Sequence, residues 1–172
     1  MGIDAKKQAA ISCLIWCLLA LPSACTRQDD TAVIGKLIEK GARLAEQKQL
    51  GDLMDLTGQD FYALPGRHDR REVKGILFAA FMHYGRFRIH YPQPAVEIAA
   101  DGKSASTTIY FFIVSRDQSI PGLKEFYDDP RRWLETVGKK ADLYQLKLQL
   151  KRDGNDWLVD QARLEGFKGT GF

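Results

Sequence analysis

A chain of 172 residues, 45% of them hydrophobic and 27% charged, has the size and composition of one globular domain, and it is too short for two domains and too apolar for wholesale disorder. The net charge is +3, from 25 basic and 22 acidic residues, which is too small for the basic footprint of a nucleic-acid-binding protein. All three cysteines, Cys13, Cys17 and Cys25, lie near the start of the chain. The rest therefore has neither a disulfide framework nor a cysteine metal site.

Residues 1–24 have the pattern of a secretory signal peptide. Lys6 and Lys7 precede an apolar run from Ala9 to Leu21, and the small residue Ala24 stands directly before Cys25. The run is shorter than the roughly 20 apolar residues that span a bilayer. The alternative, a buried helix of the fold, is disfavoured because the chain becomes polar immediately after Cys25, which leaves such a helix without a partner.

The sequence LPSAC at positions 21–25 resembles the lipobox of bacterial lipoproteins. The resemblance implies cleavage before Cys25, attachment of diacylglycerol to its sulfur and, usually, acylation of the new amine; several acyl chains give stable anchoring. Leu21 stands four residues before the cysteine, where the family favours three, so ordinary cleavage to a soluble periplasmic protein is the alternative. Thr26 stands where an aspartate would resemble the inner-membrane retention signal. We therefore expect a cell-envelope protein, anchored in the outer membrane and facing the periplasm.

Helical periodicity dominates the first half of the mature chain, after a tether at 25–30. Asp29 and Asp30 precede apolar residues at helical spacing, and Gly51 ends that run. A short second helix is expected at about Asp52–Thr57. A third follows a capping box at Asp69 and Glu72, ends at Gly85, and is expected to bury one face formed by Val73, Ile76, Leu77, Ala80, Phe81 and Tyr84.

After Gly85 the hydrophobic period changes to two, which is typical of strands. The alternation predicts strands at Phe87–Tyr91, Val96–Ile98, Ser104–Ser115, Tyr144–Lys151 and Trp157–Leu164, with turns at Asp101-Gly102 and Asp153-Gly154-Asn155. Residues 116–140 form an insertion between the hairpins. In Ile109–Val114 the odd and the even positions are both apolar, so both faces of that strand must be shielded from water. We expect the insertion, rather than another subunit, to cover the second face.

Helices gathered before hairpin-linked strands predict an α+β fold, with three N-terminal helices packed on one face of an antiparallel sheet of about four strands in two hairpins. The helix order, the segment RREVKGILFAAFMHYGRFRIH at 70–90 and the closing hairpin around Asp153 resemble the nuclear transport factor 2-like superfamily, which includes ketosteroid isomerase, scytalone dehydratase and polyketide cyclases. The resemblance covers most of a domain at 31–168. It implies a curved, cone-shaped sheet, a cystatin-like roll, often with an internal pocket.

Inward-facing aromatic residues are the candidates for such a pocket, although a filled core is the simpler interpretation. Alternation places Tyr144 and Leu146 inward. A small-ligand site needs apolar walls with a few polar tips. The candidates for the lining are Tyr62, Phe81, Tyr84, Tyr110, Leu146 and Trp157.

The superfamily's dehydratases and isomerases imply an enzymatic alternative, which needs a base that titrates near neutral pH. His83, at the margin of the third helix's apolar face, and Asp60, before an apolar patch, are the weak candidates, and a solvated histidine and a turn cap are their simpler interpretations. His68 and His90 fit less well. We assign no catalytic residue and expect no metal and no cofactor, because no histidine pair or calcium-type loop is present.

The sequence therefore favours an envelope lipoprotein whose domain binds a small apolar ligand or an envelope protein. Its predicted contact with the membrane is the lipid on Cys25. A second contact, with acidic headgroups, is suggested by basic residues at Arg67, Arg70, Arg71 and Lys74, and then at Arg86 and Arg88. Asp69 and Glu72 interrupt that basic cluster, which favours a solvated helix end.

Overall fold

The computed structural model describes residues 26–115 and 142–166. The helices are α1 (Thr26–Glu46), α2 (Leu50–Met54) and α3 (Arg70–Tyr84). The strands are β1 (Thr57–Leu64), β2 (His68–Asp69), β3 (Phe87–His90), β4 (Val96–Ile98), β5 (Ser104–Ser115), β6 (Asp142–Asp153) and β7 (Asp156–Gly166). The predicted leader, Cys25 and the insertion at 116–140 lie outside the described residues.

Helix α3 begins at the capping box that the sequence predicts. The Glu72 backbone N–H donates to Asp69 Oδ1 at 2.8 Å, and the Asp69 N–H donates to Glu72 Oε2 at 3.0 Å. Two N–H groups that lack partners within the helix are thereby satisfied. The helix ends at Gly85, whose φ of 62° lies in the left-handed region that favours glycine. The predicted start and end of this helix are confirmed.

The sheet is mixed and contains seven strands among the described residues, in the order β2-β1-β7-β6-β5-β3, with β4 also paired to β5. The prediction of about four antiparallel strands is wrong in number, and the strand β1, which was not predicted, runs parallel to β7. The first half of β1, from Thr57 to Asp60, is polar and does not alternate. Its identity as a strand depends on pairing with β7 at the far end of the chain, which local periodicity does not report.

The core lies between α1 and one face of the sheet, here called the concave face. Ile34 and Ile38 of α1 pack with Leu148, Leu150 and Trp157 of β6 and β7. Side chains alternate between the two faces of a strand, so partners of these residues on β5 share the concave face. The cross-strand pairs on this face are Ala105 with Leu150, Thr107 with Leu148, Ile109 with Leu146, and Phe111 with Tyr144.

A polar cluster attaches the first turns of α1 to the end of the β6–β7 hairpin. The buried carboxylate of Asp30 accepts hydrogen bonds from the Arg152 guanidinium and, at 3.3 Å, from Trp157 Nε1. The Arg152 guanidinium carbon lies 5.1 Å from the centre of the Trp157 ring, within the range of cation–π attraction. This end of the domain is therefore fixed by both packing and charge.

The opposite, outer face of the sheet is covered near the end of β5, as the apolar residues on both parities predict. Phe112 and Val114 are buried although their parity places them on the outer face. The His90 ring stacks on Phe112 with centroids 5.1 Å apart. The predicted cover, residues 116–140, lies outside the described residues.

Candidate functional site

The two ends of the concave face differ in how fully they are packed. At the end beside the start of α1, Leu150 and Trp157 are among the most completely buried side chains. At the other end, Tyr144 and Leu146 are only half-buried, and Leu164, which pairs with Leu146, is 45% exposed. The concave face is therefore open to solvent at the end where β6 begins.

Helix α3 forms the opposite wall of this opening. It packs mainly on β1, β2 and α2 rather than on the long strands β5 and β6. Leu77, Ala80 and Tyr84 lie on the side of α3 that carries the buried Phe81, yet all three are only half-buried. We call the region where this side of α3 approaches the open end of the concave face the cleft.

Two tyrosine hydroxyls meet across the cleft. Tyr84 Oη and Tyr144 Oη are 2.5 Å apart, which is the short end of the range for O–H···O hydrogen bonds. Phe111 stacks on Tyr144 with centroids 5.4 Å apart, and Phe87 lies 6.0 Å from the Tyr84 ring. The hydroxyl pair is thus a polar tip held in place by aromatic side chains, a combination common in small-ligand sites.

The other two candidate tyrosines lie on the outer face and do not line the cleft. The Tyr62 hydroxyl donates to Gln161 Oε1 at 2.7 Å, and the Arg67 guanidinium carbon lies 4.9 Å from the Tyr62 ring centre. The Tyr110 hydroxyl accepts from Gln145 Nε2 at 2.8 Å. Each tyrosine is the cross-strand partner of a glutamine whose side chain is on the outer face.

The remaining candidate pocket residues occupy different places. Leu146 lies on the concave face, two positions beyond Tyr144 on β6, and packs against the core cluster. Phe81 is the buried residue of α3 about one turn before Tyr84, and its ring centroid lies 5.4 Å from that of Phe87. Trp157 is buried in the core at the other end of the sheet. The structure therefore joins Tyr84 to Tyr144, whose inward direction the alternation of β6 predicts but whose hydroxyl partner it does not.

His83, the candidate base, is exposed and lies edge-on to the Tyr84 ring, with centroids 5.3 Å apart. Asp60 is exposed on β1. The pKa of Lys151 is raised by its hydrogen bond with Asp160 and by that carboxylate's charge, and Asp60 adds to this effect. Asp60 therefore lies near Lys151, whose side chain is on the outer face of the sheet, rather than at the cleft.

Of the other histidines, His90 is the more enclosed. Its partial burial lowers its pKa below the usual value, because desolvation disfavours the imidazolium; the charge of Glu46 opposes this shift and that of Arg88 adds to it. The Glu46 carboxylate also accepts the backbone N–H of Ile89 at 2.8 Å. His90 stacks on the outer face, so it is separate from the cleft.

Other kinds of site have little support within residues 26–115 and 142–166. An open depression of about 370 Å³ lies beside the start of α1, lined by Thr31, Val96, Ile98 and Ala100. No group of three or more metal-ligating side chains occurs among these residues. None of the helices described for them is both long enough and apolar enough to cross a membrane.

Comparison with known proteins finds relatives in structure alone. No family model and no curated protein matches the chain. A nuclear transport factor 2-like protein with a cystatin-like fold from Novosphingobium aromaticivorans matches with a TM-score of 0.59 and 13% identity, over 99% of this chain and 95% of that one. A cystatin-like protein of unknown function from Nostoc punctiforme matches with a TM-score of 0.61 and 11% identity, over 84% of this chain and 95% of that one.

The domain has the nuclear transport factor 2-like, cystatin-like fold. A provisionally assigned scytalone dehydratase from Novosphingobium aromaticivorans shares it, with a TM-score of 0.61 and 11% identity over 83% of this chain and 87% of that one. The predicted α+β class and curved sheet are confirmed. At these identities the likeness concerns fold, and one fold hosts unrelated functions.

Proposed function

We propose that this protein is a lipid-anchored envelope protein whose domain binds a small, mainly apolar ligand in the cleft. The observation that carries the ligand site is the Tyr84–Tyr144 hydroxyl pair on the walls of a half-open apolar cleft. The described residues that form these walls are otherwise aromatic and aliphatic. Such a site matches a ligand with an apolar body and one oxygen.

The hydroxyl pair supplies the polar contact. A phenol has one proton to donate and two lone pairs that accept. With Tyr84 as donor to Tyr144, the Tyr144 hydroxyl directs its own proton to an oxygen of the ligand. The stacked Phe111 ring limits the orientations available to Tyr144.

Replacing Tyr144 by phenylalanine is expected to weaken binding of 1-naphthol about fivefold, the value of roughly one net hydrogen bond. Binding of naphthalene, which has the same rings without the hydroxyl, is expected to change less than twofold. Ligand-observed NMR titration of both probes measures the two affinities. Tyr110→Phe is the matched control, because Tyr110 lies on the outer face, and it should leave both affinities unchanged. Equal losses for both probes, or equal effects of the two substitutions, contradict the proposed site.

The lipid anchor rests on the leader and on LPSAC at 21–25. Growth with radioactive palmitate is expected to label the wild-type protein and to leave Cys25→Ser unlabelled, with the leader retained or cut elsewhere. Cys17→Ser is the control and should label normally, since it changes a cysteine that the mature protein lacks. Comparable label in wild type and Cys25→Ser refutes the anchor. Fractionation of the labelled protein tests the outer membrane as its location.

A second candidate is an enzyme of the dehydratase or isomerase type, favoured by the contact between His83 and the Tyr84 ring. An exposed imidazole beside the Tyr84 ring could serve as a base. The test is to identify by mass spectrometry any small molecule that copurifies with the protein, and to incubate it with wild type and His83→Gln. Conversion by the wild type that His83→Gln lacks favours the enzyme, and recovery of unchanged compound from both favours binding.

A further inference from the structure

Helix α3 exposes large apolar side chains on the side facing away from the cleft. Phe78 is 59% exposed and Met82 64%, and Ile76, on another side of the helix, is 51% exposed. The prediction that Ile76 is buried is therefore wrong. Ile76 lies at the margin of the inward side of α3, the side that packs on β1, β2 and α2. A helix that is apolar on both sides normally has a partner on each.

The same side of α3 is basic. Arg71, Lys74, Phe78 and Met82 follow one another at helical spacing and are all exposed, and Arg86 lies just beyond the helix. Among the described residues, none of these three cations takes part in an ion pair. Glu72 points to a different side of the helix, where its carboxylate accepts the Asp69 N–H and lies 3.4 Å from His68 Nδ1. We call Arg71, Lys74, Phe78, Met82 and Arg86 the α3 outer surface.

The predicted anchor lies nearer to the start of this surface than to its end. Asp30 is held by Arg152 and Trp157, and the five residues from Cys25 to Asp30 reach at most about 18 Å even when fully extended. The start of α3 is joined to this half of the sheet, whereas its last residue, Tyr84, lies beside Tyr144 at the opposite end. The Arg70 side chain donates to the Met54 carbonyl at 2.8 Å, and the nearby Leu56 carbonyl accepts the N–H of Val159, two residues beyond Trp157.

We propose that the α3 outer surface lies on an anionic lipid bilayer. Phe78 and Met82 enter the interfacial region, while Arg71, Lys74 and Arg86 contact headgroup phosphates, the arrangement that holds basic amphipathic helices at membranes. Charge favours this partner, since the surface carries cations without carboxylates. The short connection to Cys25 keeps the bilayer within reach. The inference rests on the lipid anchor proposed above and adds the orientation of the anchored domain.

The test uses the lipidated protein in vesicles. Because the chain has no cysteine after Cys25, an introduced cysteine is the only thiol available for labelling. An environment-sensitive nitrobenzoxadiazole dye is attached at Ala79→Cys, on the exposed side of α3, or at Gln149→Cys, an exposed position on the outer face of β6. The vesicles contain phosphatidylglycerol, phosphatidylcholine and a doxyl-lipid quencher. We expect at least threefold stronger quenching at Ala79 than at Gln149. Phosphatidylcholine alone, or Phe78→Ser with Met82→Ser, should reduce quenching at Ala79 to the Gln149 level.

The control substitution is Val33→Ser, which removes an exposed apolar side chain from α1 instead and should preserve quenching at Ala79. Equal quenching at Ala79 and Gln149 overturns the proposal. So does self-quenching between Ala79 labels that is independent of lipid charge, because it identifies a second copy as the occupant. The acyl mass at Cys25 is measured in every sample. Its absence refutes the anchor and this inference together, whereas an acylated protein with an unquenched Ala79 label refutes this inference alone.

Discussion

Trp157→Ala is expected to lower the free energy of unfolding by about 3–5 kcal/mol, the range for removing a large aromatic side chain from a packed core. Trp157 is almost completely buried and belongs to the cluster that contains Ile34 and Leu150. Its indole also donates to Asp30 and lies against the Arg152 guanidinium. The substitution therefore leaves a cavity and removes the contacts of Trp157 with both Asp30 and Arg152.

Urea denaturation followed by far-ultraviolet circular dichroism measures this loss. Leu164→Ala is the control, because Leu164 lies on the same face of β7 but is 45% exposed at the open end, and it should cost less than about 1.5 kcal/mol. Trp157→Phe retains much of the packing and should have an intermediate effect. A loss below about 1 kcal/mol for Trp157→Ala contradicts the placement of this residue in the core.

Asp30→Ala is expected to cost about 2 kcal/mol, because it removes the acceptor shared by Arg152 and Trp157 Nε1. Removing one partner of a fully buried ion pair costs about 3–5 kcal/mol. The smaller value is expected here because the Arg152 side chain is 32% exposed, so water can solvate the guanidinium once the carboxylate is gone.

The matched control is Asp153→Ala, which removes an exposed carboxylate from the adjacent turn and should change stability by less than about 0.5 kcal/mol. Combining Asp30→Ala with Arg152→Met should cost less than the sum of the two single substitutions, because each removes the same interaction. Additive losses in that cycle contradict direct coupling between Asp30 and Arg152.

Part of the candidate site follows from the spacing of residues in the sequence. Alternation along β6 predicts that Tyr144 and Leu146 point inward, and helical spacing predicts the same for Tyr84. That the Tyr84 and Tyr144 hydroxyls meet depends on how α3 is placed over the sheet. Tyr62 and Tyr110 are chemically equal candidates, but the strand pairings of β1 and β5 place them on the outer face. A shift of one residue in register would reverse that outcome.

Features that arise from neighbouring residues were determined by the sequence alone. The capping box at Asp69 and Glu72, the end of α3 at Gly85, and the β6–β7 hairpin with its turn at Asp153–Asn155 depend on contacts over a few positions, so periodicity and turn chemistry are sufficient to predict them. Local patterns do not predict the parallel pairing of β1, the exposure of Ile76 or the contact between the two tyrosine hydroxyls. These depend on contacts between segments far apart in the chain, whose relative positions are set by the packing of the whole core rather than by local preference.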